Sequence, residues 1–236
     1  MQERALGVES RAPRLLGNLM EYIALLVDLL LHVDRHLAAL LAEYGNWIYA
    51  ILFLIVFCET GLVVTPFLPG DSLLFVAGAL AAGGGMDPAI LIGVLFVAAV
   101  LGDSVNYSIG RHFGGRISQW PDSRFFNRRA LEYTRTFYER HGGKTIIIAR
   151  FMPLIRTFAP FVAGMAPMDY RRFVVFNVLG AALWVGPLVM LGYWFGNLPV
   201  IQNNLTLVIL GIIALSLMPL FIGWLRHRAG AARARA

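Results

Sequence analysis

The chain alternates long apolar runs with polar breaks, and the runs differ in length and continuity. From Phe173 to Leu225 there is no Asp, Glu, Lys, Arg or His. One helix needs about 20 residues to cross a bilayer. This stretch therefore predicts two spans, at about 170–195 and 205–225, joined by a polar turn over Asn197–Asn204 that contains Pro199. Trp47 to about Thr65 and the segment at about 88–110 read as two further spans. Asp87-Pro88 and Asp169 have the form of helix N-caps at the start of two of them.

Two other apolar runs are too short or too broken to cross. Ser72–Ala82 is bounded by Pro66 and Pro69-Gly70 on one side and by Gly83-Gly84-Gly85 on the other. Thr145–Gly164 is interrupted by Arg150, Pro153, Arg156 and Pro160. Both predict re-entrant hairpins, at about 60–86 and 145–166. Such segments are allowed at membrane depth only where protein or a water-filled cavity surrounds them. Residues 18–44 carry Leu25, Leu26, Leu29, Leu30, Val33, Leu37 and Leu40 at helical spacing among charged positions. That pattern predicts an amphipathic helix lying on the membrane. A second interfacial helix is expected at about 122–141, where Phe125, Phe126, Tyr133, Phe137 and Tyr138 interleave with arginines.

The expected architecture is an all-α polytopic membrane protein. It has about four spanning helices, two opposed re-entrant hairpins and interfacial amphipathic helices. Residues 1–45 form a tail and surface helix, 46–225 the membrane domain, and 226–236 a basic tail.

Composition agrees. The chain is 58% hydrophobic and 14% charged, with a mean hydropathy of +0.67, whereas soluble domains carry about 25% charged residues. The net charge of +6 comes from 19 Arg and one Lys, Lys144. Residues 111–144 hold eight Arg or Lys against three Asp or Glu. Cytoplasmic loops collect such residues, so this segment, Arg171-Arg172 and both termini are expected in the cytoplasm. A hairpin followed by a span then occurs twice in opposite orientation, the inverted-repeat logic of secondary transporters. The two copies share no obvious sequence identity. Cys58 is the sole cysteine, which excludes a disulfide framework and a Cys-based metal site. The first 20 residues lack the order of a signal peptide.

The candidate chemistry lies on the broken runs, where charge at membrane depth marks function by default. Glu59 follows a charge-free run from Tyr44 to Cys58. It suits loading and release of a proton, or else a structural ion pair with Arg150 or Arg156. Asp71 caps the returning half-helix and is a second proton or headgroup candidate. Arg150 and Arg156 need an anion at depth: Glu59, Asp71 or a substrate phosphate, for which a guanidinium fork is suited. Snorkelling to the surface is the plain alternative. Asp103 is either a third relay group or a local partner of Arg111, and the local role is preferred. His32 and His36 are four apart, but a polar interfacial face explains them more simply than a metal site. There is no HExxH, P-loop or GxSxG pattern, so no catalytic residue, cofactor or metal is expected.

Three signatures occur in order. They are Glu59-x-Gly61-x4-Pro66-x2-Pro69-Gly70-Asp71, then Gly102-Asp103-x3-Tyr107-x2-Gly110-Arg111, then Arg150-Phe151-x-Pro153-x2-Arg156 with Ala163-Gly164 and Met168. With them, residues 45–195 resemble the DedA family, also called SNARE-associated or VTT-domain membrane proteins. The resemblance implies facing re-entrant hairpins, with Glu59, Asp71, Arg150 and Arg156 as the functional set. It also implies proton-motive-force-dependent physiology, envelope integrity and movement of lipids between leaflets, with bacterial members similar to undecaprenyl-phosphate carriers.

The expected function is therefore a proton-coupled transporter or flippase for an anionic lipid phosphate in a bacterial inner membrane. Alternatives are an ion or small-solute antiporter and a scramblase or membrane-organising protein. Membrane lipids and protons are the expected partners. Nucleic acid is not expected, and self-association is left open.

Overall fold

A computed structural model describes residues 33–62, 70–117, 136, 138–166, 168–196, 198–202, 204, 207–208 and 210–212. These are helical, with no strand among the described residues. The helices are α1 (Val33–Tyr44), α2 (Ile48–Gly61), α3 (Gly70–Ala82), α4 (Pro88–Ile117), α5 (Lys144–Ala149), α6 (Pro153–Met165), α7 (Tyr170–Phe195) and α8 (Pro199–Gln202). The expected span at 205–225 and the interfacial helix at 122–141 fall largely outside the described residues.

Three described stretches are long and apolar enough to cross a membrane: Arg35–Gly61, Pro88–Phe113 and Tyr170–Phe195. The first is bent where Gly45 adopts φ +53°, a left-handed conformation that glycine tolerates and that ends α-helices. Before the bend, α1 sets one face against the core, and the rest of the helix expected at 18–44 lies outside the described residues. Leu37 is buried, and Leu40 and Leu41 pack with it against the core. Leu41 also closes over Gly85, at the end of α3.

The long helices α4 and α7 have 30 and 26 residues, about 45 and 39 Å at 1.5 Å per residue. The caps read from the sequence are in place. Asp87 Oδ1 accepts from the N–H groups of Ala89 and Ile90, and Asp169 Oδ1 from those of Arg171 and Arg172. α4 runs past the expected end near Ile109, through Gly110 to Ile117.

α2, α3 and α6 are short, with 14, 13 and 13 residues, about 20 Å each against a hydrocarbon core of about 30 Å. α2 runs alongside α4 in the same direction. Tyr49 Oη accepts the Asp87 N–H at 2.7 Å, and Gly61 meets the backbone of Gly102, halfway along α4. The helix expected from Trp47 to about Thr65 thus ends at Gly61, level with the middle of α4. α3 starts at that level, with Gly70 against the Glu59 carboxylate, and returns toward the Tyr49 end.

The second unit is built likewise from the opposite end. Gly143 lies against Phe176 and Ile147 near Gly180, so α5 runs alongside the start of α7. The chain turns at Arg150–Met152, and α6 begins with Pro153 as its first residue. Met152 is extended (φ −124°, ψ 102°), as the residue before a proline favours. Pro160 was expected to break this run, but it lies inside an unbroken α6. Its missing N–H costs one helical bond, while packing against α4 on either side keeps the helix continuous through it.

Each returning helix packs on the long helix of the other unit. In α3, Gly78 abuts the Val189 carbonyl of α7, and Gly192 abuts the Phe75 carbonyl. In α6, Gly164 abuts the Tyr107 carbonyl of α4, and Gly110 abuts the Phe161 carbonyl. A Cβ at any of the four would overlap the facing oxygen. Both crossings use the same three-residue offset on both helices.

Candidate functional site

The ends of the short helices converge halfway along α4, and the ionisable residues of the broken runs meet there. Glu59 is in the last turn of α2, Asp71 in the first turn of α3, Asp103 mid-way along α4, Arg150 at the α5–α6 turn and Arg156 in the first turn of α6. Glu59, Asp103 and Arg150 are 4%, 3% and 3% exposed.

Arg156 serves two carboxylates. Its Nη2 donates to Glu59 Oε1 at 2.6 Å and its Nη1 to Asp71 Oδ1 at 2.9 Å. Arg150 Nη2 donates to Asp103 Oδ2 and to Asn177 Oδ1, the latter at 2.7 Å. Asn177 Nδ2 donates in turn to the Val100 carbonyl at 3.0 Å. Three carboxylates thus face two guanidiniums. With all five ionised, the cluster carries one excess negative charge. Breaking such a pair is costly, yet an apolar replacement of both partners is often as stable. Stability alone is therefore a poor reason for keeping five charges here.

Asp103 pairs with Arg150 and not with Arg111. Eight residues along one helix are about 12 Å apart, and Arg111 instead reaches the Tyr107 hydroxyl at 3.3 Å. Arg111 is exposed toward the α5 end and stands outside the cluster. Pro66 and Pro69 lie outside the described residues, as does His32. Gly61, Gly70 and Gly164, expected as hairpin-breaking positions, lie at the end of α2, the start of α3 and the end of α6, and they also permit close approach. Gly61 touches Gly102, Gly164 touches Tyr107, and a side chain at residue 70 would overlap the Glu59 carboxylate.

Three site residues were not singled out from sequence. Trp184 is 1% exposed, and its Nε1 donates to Asp71 Oδ1 at 2.7 Å. Its ring lies 5.0 Å from the Arg156 guanidinium carbon and 5.5 Å from that of Arg150, within cation–π range. Asn177 joins Arg150, and Asn106 Nδ2 donates to the carbonyls of Thr60 and Thr157. A signal existed for two of them. Trp favours the membrane boundary, yet Trp184 falls mid-span, and Asn177 is an amide inside a charge-free run.

Chemically, Arg156 offers donors that an oxyanion can take by displacing carboxylates, Arg150 holds buried Nε and Nη1 groups without a hydrogen-bond partner, and the carboxylates can be neutralised by a proton. Among the described residues, no group of three or more His, Cys, Asp or Glu is placed to hold a metal ion.

The VTT-domain profile matches residues 68–194. Protein DedA of Escherichia coli K12 is 57% identical over 217 residues, covering 91% of this chain and 99% of that protein. An uncharacterized membrane protein of Mycobacterium leprae is 43% identical over 176 residues, covering 74% and 79%. The inner membrane protein YghB of Escherichia coli K12 is 34% identical over 190 residues, covering 77% and 84%. No solved structure matches the chain.

Proposed function

The chain belongs to the DedA family of VTT-domain membrane proteins, and from that premise we propose that it is a proton-coupled transporter, or flippase, of an anionic lipid phosphate such as undecaprenyl phosphate. The observation that carries this reading is the sharing of Arg156 between Glu59 and Asp71, which belong to the other unit. A phosphate arriving at Arg156 competes with those carboxylates for the same N–H groups. Protonating a carboxylate weakens its hold and frees the guanidinium. Uptake of a proton and capture of an anion are thereby linked at one side chain, with Asp103 and Arg150 as the second pair.

The short helices support two re-entrant hairpins, with limbs α2–α3 and α5–α6, entering from opposite sides. This differs from an outward span at 47–65 followed by a hairpin. The matched glycine crossings support an inverted repeat, and such transporters place their sites at the repeat interface near mid-membrane. Arg111, Arg140, Lys144, Arg171 and Arg172 all lie toward the α5 end, which favours that end as cytoplasmic. The α1 end is then external, in an inner membrane like that of YghB. In this reading the chain is a carrier and not an enzyme.

The test is translocation of a fluorescent lipid phosphate in reconstituted vesicles under an imposed pH gradient. Glu59→Ala and Arg156→Ala should abolish the gradient-dependent part. Undiminished transport in both variants would sink the mechanism. A second reading, a proton-coupled antiporter for a cation or small solute, is favoured by the excess negative charge. Competition by short-chain phosphates separates the two, because only the lipid-phosphate carrier is inhibited.

A further inference from the structure

Glu59 and Asp71 share one guanidinium, yet their surroundings differ in a way that divides their roles. Asp71 Oδ1 accepts from Arg156 Nη1 at 2.9 Å and from Trp184 Nε1 at 2.7 Å. The indole N–H is a donor only, and so is the guanidinium. Two donors on one oxygen favour the charged form of Asp71, and its side chain is less buried than that of Glu59. Glu59 has one such tie: Oε1 accepts from Arg156 Nη2 at 2.6 Å, while buried Oε2 lies against Gly70 without a hydrogen bond of good geometry. A proton can settle on Oε2 with the Arg156 contact left in place.

The other charged groups do not reverse this contrast. From α4, Asp103 faces the cluster and is held by Arg150 of the α5–α6 turn. From α6, Arg156 touches both acids. From α7, Trp184 touches Asp71 and lies over both guanidiniums. With three carboxylates to two arginines, one proton makes the cluster neutral, and neutrality is strongly favoured in a low-dielectric interior.

We propose that Trp184 is a positioning residue that fixes Asp71 as the permanent anion of the cluster, leaving Glu59 as the one carboxylate that exchanges a proton. The assignment deepens the transport reading and rests on it for its purpose, since the exchanged proton is the coupling ion there. Its geometry does not depend on which substrate is carried. Trp184 contributes through a single N–H to Asp71 and a ring within cation–π range of both guanidiniums.

The test is difference infrared spectroscopy of the full-length protein in detergent, titrated over neutral and acid pH. Exposed carboxyls titrate alike in every variant, so the reading is the difference from wild type: the protonated-carboxyl C=O band lost in Glu59→Gln should remain in Asp71→Asn, at lower pH because two carboxylates then face two arginines. Trp184→Phe keeps an aromatic ring but removes the N–H. It should gain a second band that disappears when Asp71→Asn is added. A wild-type band that follows Asp71 overturns the assignment, and so does a Trp184→Phe spectrum identical to wild type. If Trp184→Phe does not fold, the wild-type band assignment decides alone. None of these readouts needs transport. A carrier assay that fails while the bands behave as described would count against the transport reading and leave the proton assignment standing.

Discussion

The side-chain amide of Asn106 lies 3.0 Å from the carbonyl oxygen of Thr60 and donates to it. Thr60 sits in the last turn of α2, where carbonyls have no helical partner. The same Nδ2 also donates to the Thr157 carbonyl of α6 at 2.9 Å. One amide on α4 thus pins the inner ends of both short-helix pairs. Asn106→Ala should leave a buried carbonyl unsatisfied, at a cost of about 1–3 kcal/mol. A thermal melt in detergent should show the midpoint falling by several degrees. An unchanged midpoint would mean that the two ends are held by other contacts.

The two glycine crossings give a paired expectation. Gly110→Ala and Gly192→Ala both drive a methyl into a carbonyl of the facing helix. Each should destabilise by about 1–3 kcal/mol, as overpacking does, and by similar amounts if the crossings are equivalent. Gly93, also in α4, faces open space, with nothing within 4 Å of where a Cβ would sit. Gly93→Ala should therefore stabilise slightly, by up to about 1 kcal/mol of helix propensity. Melting curves of the three variants check this directly.

What could be read from the chain depended on how local the cause is. Asp87 and Asp169 are legible as caps because the bonds they make lie two and three residues away. The gathering of Glu59, Asp71, Arg150 and Arg156 was legible because buried charges must find one another. Which partners with which was not. Asp103 looked local to Arg111, but Arg150 arrives from a turn 47 positions away, and only tertiary packing decides that. Pro160 looked like a break because its defect is local, whereas the α4 surface that holds α6 together is not.

The Arg150–Asp103 pair can be separated from Asn177 and from transport by a double-variant cycle. Asp103→Leu alone leaves a buried guanidinium with only an amide partner and should cost about 3–5 kcal/mol. Adding Arg150→Met removes that guanidinium and should recover most of the loss. The double variant should nonetheless carry no lipid phosphate in the vesicle assay. Recovered transport along with recovered stability would make this pair structural and leave the chemistry to Arg156, Glu59 and Asp71.

The half-length α2 and α3 have a consequence for sidedness that cysteine labelling reads. Tyr49 is bonded to Asp87 at one end of α4, and α1 folds over the same end through Leu41 and Gly85. Gly143 and the basic residues around it stand at the other. In a Cys58→Ser background, Glu43→Cys and Lys144→Cys are single reporters on exposed positions of opposite ends. A membrane-impermeant maleimide should label residue 43 in intact spheroplasts, and residue 144 only in inverted vesicles. Had α2 crossed the membrane outward, residue 43 would lie on the cytoplasmic side together with residue 144. Labelling of both from the same side would therefore reject the hairpin formed by α2 and α3.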